Sequence, residues 1–377
     1  MIDSPGMLMT VLAFLLVLGP LVFVHELGHY LAGRWFGVGV EAFSIGFGHE
    51  VAGFTDRRGT RWKFGWLPLG GYVRFAGDMN PASQPDAAWL QLPAKERART
   101  FQAKPLWQRA IIVAAGPAIN FVLAVAILGG LAATYGIDRT PAQVGSIVAG
   151  SPAERAGLLP GDTVIALGGR SVDTYRDMLL FTLIRANEPV RIDYERGGIA
   201  RSTDATIGAV TERDRFGNIH RIGRLGIGPP QPVFAPVPLW QAPVEGVVMT
   251  GNILRSTVDG LVRIVTGRIP ASEMGGPLRI AKASGEQLSL GLPALITFIA
   301  FVSINLGFIN LLPVPMLDGG HLMFYAIEGV KRGPVRPQTM EWAFRGGLAL
   351  LLALMVFVTM NDLGAFGVWR GLAGLIG

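Results

Sequence analysis

The chain has 377 residues, half of them hydrophobic and only 16% charged, with no cysteine and a formal net charge of +6. Soluble domains carry roughly 25% charged residues, so this is no large soluble enzyme, and disulfides and thiolate metal ligands are excluded. The positive charge forms no patch interleaved with aromatic residues but falls mainly in two loops, so no nucleic-acid partner is expected.

Residues 7–36, within a first segment 1–37, open the chain with an apolar run that is uncharged from 7 to 24. About 20 residues suffice to cross the hydrocarbon core. Asp3 is the only charge before the run, and His25 and Glu26 follow it where a signal peptide would place a cleavage site. A retained membrane span is therefore expected. The span ends in His25-Glu26-Leu27-Gly28-His29. On a helix, side chains four apart are neighbours. His25 and His29 are thus candidate ligands of one metal ion, with Glu26 free to act on a water at that metal. Ionisable groups at membrane depth are costly, which makes the cluster a candidate site.

The next segment, 38–105, is a basic loop. Residues 42–78 alternate apolar and small residues between turn-forming glycines and predict a β-hairpin. Its Trp62, Phe64, Trp66 and Tyr72 suit either membrane contact near the site or an aromatic belt. Residues 79–99, rich in Pro, Ala and charge, predict a loop. The second span falls in 106–135, uncharged from 110 onward.

Residues 140–229 alternate short β-type runs (144–148, 163–167, 190–194) with a helical pattern over 175–185, which suits a small α+β domain. Ser151 and Glu154 predict a capping box that opens a short helix at Pro152, ended by Gly157. Segment 230–286 holds a Pro-rich connector and an amphipathic helix over 244–265. That helix is expected either on the membrane surface or packed against the soluble domain. The third apolar run, 287–317 within 287–330, is uncharged, and the fourth, 342–360 within 340–377, is the shortest. The loop 38–105 is basic, the last loop carries Lys331, Arg332 and Arg336, and the N-terminal tail carries no positive charge, so both loops should be cytoplasmic and 140–229 extracytoplasmic. The histidine pair then lies toward the cytoplasmic end of the first span.

Two histidines need a third protein ligand if one coordination position is kept for water. His49 lies in the basic loop and reads as a surface residue, and His220 is on the wrong side. In the third run Pro313 and Pro315 cannot continue a helix. Irregular backbone at membrane depth is tolerated only where it is buried in protein or lines a wet cavity. Asp318 follows that break, ahead of Gly319-Gly320, and is the first candidate for the third ligand. His321 is the second, and helix capping is the alternative role for Asp318.

These stretches resemble the site-2 protease family of intramembrane zinc metalloproteases, of the bacterial regulator-of-sigma-E protease type. The resemblance rests on His25-Glu26-Leu27-Gly28-His29, on Asn310-Leu311-Leu312-Pro313-Val314-Pro315-Met316-Leu317-Asp318-Gly319-Gly320-His321, and on Gly116-Pro117-Ala118-Ile119-Asn120-Phe121. Pro68-Leu69-Gly70-Gly71-Tyr72-Val73 and Gly275-Gly276-Pro277-Leu278 extend it. Gly150-Ser151-Pro152-Ala153 and Ala156-Gly157-Leu158-Leu159-Pro160-Gly161-Asp162 are similar to a PDZ domain.

The resemblance implies a polytopic α-helical membrane protein with four transmembrane helices, an inserted extracytoplasmic PDZ-like α+β domain and a membrane-associated β-hairpin. It implies Zn2+ bound by His25, His29 and Asp318, with Glu26 as general base. Asn305 and Asn310, together with Gly71, Tyr72 and Val73, are implied to hold the substrate strand. The implied substrates are single-span membrane proteins, anti-sigma-factor-like proteins or signal-peptide remnants, cut by regulated intramembrane proteolysis among the lipids of a bacterial inner membrane. One departure is visible: enterobacterial members carry two tandem PDZ domains, and this chain has room for one. The competing classes are a non-catalytic PDZ-bearing receptor or scaffold, which has no use for Glu26, and a transporter with a broken helix, which leaves the histidine pair unexplained.

Overall fold

The structure, a computed structural model, describes residues 5–77, 91–213, 219–271 and 274–366. The expected loop at 79–90 and the side chain of His220 lie outside the described residues. Two compact units are present: Gly129–Gly246, and Pro5–Leu128 together with Val247–Gly377. Four helices are long and apolar enough to cross a membrane.

Helix α1 (Met7–Trp35) buries Ala13, Val17, Leu21, His25 and His29. These positions recur every four residues and form one stripe along the helix. Leu8, Leu12, Leu15 and Leu16 stay exposed, an apolar surface that suits lipid. The two histidines continue the stripe that packs inward. Gly37 ends the helix with φ 71. The Val38 N–H reaches the Gly33 carbonyl at 2.8 Å and the Gly37 N–H reaches Arg34 at 3.1 Å, closing a Schellman turn.

Strands β1 (Val40–Thr55) and β2 (Arg61–Phe75) pair antiparallel. Phe43 opposes both Trp62 and Val73, and Ser44 opposes both Lys63 and Tyr72. The start of β1 is thus the middle of a curled ribbon, with 61–64 on one side and 71–74 on the other. The outer edge of 71–73 has no strand partner among the described residues. Trp62 stacks on Phe43 at 4.4 Å and donates its Nε1–H to Asp56 at 3.0 Å. It belongs to the hairpin's own packing rather than to the expected membrane contact, whereas Phe64 and Trp66 are exposed. A short helix α2 (Ala94–Arg97) interrupts the expected loop. Helix α3 (Leu106–Tyr135) is the second apolar helix.

The unit that follows holds β3 (Ile137–Asp138), β4 (Ser146–Ile147), α4 (Pro152–Arg155), β5 (Thr163–Leu167), β6 (Arg170–Ser171) and α5 (Tyr175–Leu183). It continues with β7 (Pro189–Arg196), β8 (Ile199–Thr206), β9 (Gly208–Arg213), β10 (Ile219–Arg224), β11 (Ile227–Gly228) and β12 (Phe234–Ala235). A four-stranded antiparallel sheet has the order β6-β5-β7-β8. Val164 and Leu167 of β5, on either side of a register shift, and the alternate residues Val190, Ile192 and Tyr194 of β7 enter a core with Ala153, Leu158 and Phe181. The unit is α+β, as expected.

The expected capping box at α4 is only half formed. Ser151 Oγ accepts from the Glu154 N–H at 3.3 Å, but the Glu154 carboxylate accepts from Gly150 N–H at 2.6 Å instead of from Ser151. A complete box, not foreseen, stands at α5, where Thr174 and Asp177 bond reciprocally.

Helix α6 (Ala242–Val265) matches the amphipathic pattern, but its apolar side is not left to a surface alone. Met249, Ile253 and Leu254 pack on Ala124 and Leu128 of α3 and on Ala300 and Ile304. Helix α7 (Pro277–Ser289) stands where a connector was expected. The third apolar run, 287–317, is divided at the two prolines, where the residues indicate a break. Helix α8 (Leu292–Asn310) is the spanning piece, and helix α9 (Asp318–Lys331) starts after the break at the two prolines. Helix α10 (Pro337–Ala365) is longer than the 342–360 expected, and Arg345 near its start pairs with Glu341 at 2.6 Å. Near its other end the fully buried Asp362 accepts from Gly276 N–H at 3.0 Å and Arg279 N–H at 3.1 Å. It thereby supplies the N-terminal acceptor that α7 lacks in its own sequence.

In the α+β unit, Asp162 is 1% exposed. It binds Arg196 through both oxygens at 2.6 and 2.7 Å and accepts from Leu159 N–H at 2.8 Å. The Arg196 guanidinium holds its carboxyl below the usual range. A depressed folded-state value means that this contribution is complete above about 3.9, the ordinary Asp value, and is lost as pH falls through the native value. Asp162→Asn should therefore lower the unfolding temperature of this unit at pH 7, by scanning calorimetry of the full chain. The deficit relative to wild type should shrink as the pH is taken below about 4.

Candidate metal centre

Three donor atoms converge where α1, α3 and α9 meet. His25 Nε2 and His29 Nε2 lie 3.3 Å apart. Asp318 Oδ2 is 3.2 Å from the first and 3.4 Å from the second. Zinc bonds of about 2.0–2.1 Å at tetrahedral angles set neighbouring ligand atoms roughly 3.3 Å apart. The three atoms therefore form one face of a tetrahedron of the right size, and a nitrogen, nitrogen, oxygen donor set suits zinc. His25, His29 and Asp318 are also the group of at least three potential metal-ligating side chains found among the described residues.

Each donor is placed by a specific piece of backbone. His29 Nδ1 lies 2.9 Å from the Ile112 carbonyl of α3. A carbonyl only accepts, so Nδ1 carries the proton and Nε2 keeps its lone pair for a metal. That contact needs α1 and α3 to approach closely, and two glycines permit it. A Cβ on Gly28 would fall 2.5 Å from the Ala115 carbonyl, and one on Gly116 would fall 2.2 Å from His29 Nε2 itself. Asp318 is carried by the break at 311–317. Met316 there adopts φ 86, a conformation that non-glycine residues rarely take. Cβ atoms on Gly319 and Gly320 would strike the Leu311, Leu312 and Val314 carbonyls at 2.3–2.4 Å, so the fold-back of α9 onto this turn requires both glycines. Asp318 opens α9 without capping it: Leu317 holds the cap position and no side chain bonds there.

The centre faces a cavity of about 530 Å3 lined by His25, Glu26, His29, Asp318, Tyr72 and Asn310, among others. Glu26 is 8% exposed. Gly71 and Val73 also line the cavity, and a Cβ on Gly71 would lie 3.0 Å from Glu26 Cγ. His321 reaches the same cavity and packs against the Phe344 ring at 4.9 Å, but it is not one of the three convergent donors. His49 is exposed on β1.

The structure does not bring Asn305 to the cavity. Its Oδ1 accepts from Thr257 on α6 at 3.1 Å and its Nδ2 donates to the Phe301 carbonyl at 2.8 Å. Positions 305 and 310 are about 140° apart around a helix at 3.6 residues per turn. One helix face therefore cannot present both asparagines, and Asn310 is the one at the cavity.

Sequence reasoning assigned no role to Gly28, Gly116 or the Ile112 carbonyl. A backbone carbonyl leaves no trace in residue type. The glycines inside apolar helices were the available signal, since glycine there often marks close helix approach.

The sequence model of peptidase family M50 matches residues 13–354. A "putative zinc metalloprotease" of Agrobacterium fabrum is 43% identical over 361 residues, covering 94% of this chain and 95% of that one. A "putative zinc metalloprotease" of Rhizobium meliloti is 42% identical, covering 94% and 96%. The metalloprotease MmpA of Caulobacter vibrioides is 36% identical, covering 98% and 99%. Among solved structures, the PDZ domain of an SdrC-like protein from Listeria monocytogenes aligns with 25% of this chain and 90% of its own at 19% identity. Its TM-score of 0.20 is too low to bear on the fold.

Gly116→Ala should displace the His29 ring and strongly reduce bound metal, measured by elemental analysis of purified protein. Gly130→Ala, on the same helix with nothing within 4 Å of the added Cβ, should leave metal content unchanged.

Proposed function

The chain belongs to peptidase family M50 and is a zinc metalloprotease; we propose that His25, His29 and Asp318 hold the zinc, that Glu26 is the general base, and that the bonds cut lie in membrane-spanning segments of other proteins. The observation that carries this reading is the triangle of donor atoms at 3.2, 3.3 and 3.4 Å, sharing one cavity with Glu26 in the C-terminal half of an apolar helix. Zinc held by these three side chains would supply a more acidic water and a polarised scissile carbonyl. Glu26 takes the proton of the attacking water and returns it to the leaving amine. Its partly apolar, buried setting suits a proton carrier better than a second metal ligand.

A helical substrate hides its amides in its own hydrogen bonds, so it must be opened before cleavage. The edge of 71–73, which has no strand partner among the described residues, borders the cavity and offers main-chain groups to an extended segment. Gly71 keeps that strand close to Glu26, and Tyr72 and Val73 flank the path. Asn310 adds a side-chain hydrogen bond from the opposite wall. Asn305, engaged with Thr257, acts on the substrate only through the tie between α6 and α8.

Following the resemblance of the sequence, the substrates are single-span membrane proteins, anti-sigma-factor-like or remnant signal peptides. The Lys and Arg of the short loops direct the centre to the cytoplasmic side of a bacterial inner membrane and the PDZ-like 140–229 unit to the other side. That unit then excludes substrates with bulky outer domains. A non-catalytic receptor is the alternative reading, and it leaves the buried Glu26 without purpose.

Glu26→Gln should lower cleavage of a membrane-spanning reporter by at least about 100-fold while zinc stays bound at the wild-type ratio. Wild-type cleavage by this variant would remove the mechanism. Asp318→Ala should lose both zinc and activity, and zinc retained in it would move the third ligand to His321.

A further inference from the structure

His25 and His29 are equivalent as donors but not in what stands behind them. Behind His29 is a backbone carbonyl, which can only accept. Behind His25 is a side-chain amide: Asn120 Nδ2 lies 3.0 Å from His25 Nδ1. Asn120 is fully buried in the middle of α3. Its other amide atom, Oδ1, is buried with no hydrogen-bond partner among the described residues. An amide carries a donor and an acceptor on one fork, and a half-turn exchanges them within the same space.

The two orientations have different chemical consequences. With Nδ2 toward the ring, the amide donates, and a neutral His25 holds its proton on Nε2, the atom 3.2 Å from Asp318 Oδ2. With Oδ1 toward the ring, the amide accepts, the proton sits on Nδ1, and Nε2 is left with a lone pair. Either orientation leaves one amide atom without a partner, so hydrogen-bond satisfaction does not choose between them. Only the second lets His25 bind a metal through Nε2.

We propose that Asn120 is a positioning residue of the metal centre: its carbonyl oxygen accepts the His25 Nδ1–H, fixes the tautomer whose Nε2 is free for zinc, and orients the ring beside His29. The inference rests on His25, His29 and Asp318 being the zinc ligands. Outer partners of this kind hold metal-bound histidines in a single tautomer and raise their basicity. The place of Asn120 is itself fixed, because its backbone carbonyl accepts from Ser303 Oγ of α8 at 2.8 Å. That bond is independent of the side chain at position 120, so substitutions there leave the helix contact intact.

The test is zinc affinity of the purified full chain, stripped by chelation and titrated against a chromophoric zinc chelator. Asn120→Leu removes the acceptor, and affinity should fall about 10–100-fold. Asn120→Asp supplies a group that only accepts, and should bind zinc within about threefold of wild type or more tightly. If the leucine variant does not fold, Asn120→Ala carries the same expectation, because it removes the carbonyl without adding bulk. A purely space-filling role predicts that the near-isosteric Leu variant binds zinc like wild type; that result overturns the proposal, as do equal weakening by Asp and Leu and wild-type affinity in the Ala variant. Absence of stoichiometric zinc in the wild-type protein would instead overturn the assignment of the ligands themselves.

Discussion

Two imidazoles, a carboxylate and a glutamate stand at the meeting point of otherwise apolar helices, largely withdrawn from bulk water. Polar groups in that setting are unfavourable unless each meets a partner. The hydrogen bond from His29 to the Ile112 carbonyl is the contact on which the others depend. It sets the tautomer of His29 and at the same time dictates how close α1 and α3 must come. Gly28 and Gly116 are small because that distance leaves no room for a Cβ. Once the two helices are that close, His25 falls beside Asn120, and both imidazoles present Nε2 to the same point.

The acid is delivered by a different device. A continuous third helix would carry position 318 past the histidines. Instead the chain stops at Asn310, turns through Pro313, Pro315 and the left-handed Met316, and restarts at Asp318. The turn exposes backbone that needs shelter, and α10 provides part of it: Gly347 lets the Pro315 carbonyl approach to where its own Cβ would be. Irregular backbone at this depth is tolerated because it is enclosed by protein and borders a cavity. The same cavity receives the free edge of the β1–β2 ribbon. The three convergent donor atoms and that strand edge are therefore adjacent.

Much of this was legible in the residues. The uncharged runs marked the helices, and the histidine spacing marked a shared face because side-chain direction in a helix is periodic. The double proline marked the break ahead of Asp318. What failed was reasoning that needed rotation about a helix axis or packing across helices. Asn305 and Asn310 looked like a pair in sequence but point about 140° apart, and α6 takes Asn305. Trp62 looked like a membrane-facing aromatic residue, but the curl of β2 folds it onto Phe43. Glu154 reached Gly150 rather than Ser151, a one-residue difference that the sequence motif does not register.

Local sequence thus determined the kinds of group at the centre, the helix that carries the histidine pair and the place where the third apolar run must break. Those features depend on neighbours a few residues apart, through helical periodicity and the missing N–H of proline. Only the tertiary structure decided which acid joins the histidines, which asparagine faces the cavity and which glycines are indispensable. These are contacts between residues far apart in the chain, His29 with Ile112 and His25 with Asn120 and Asp318. Their distances are set by how closely apolar helices can pack, a quantity that no single stretch of sequence contains.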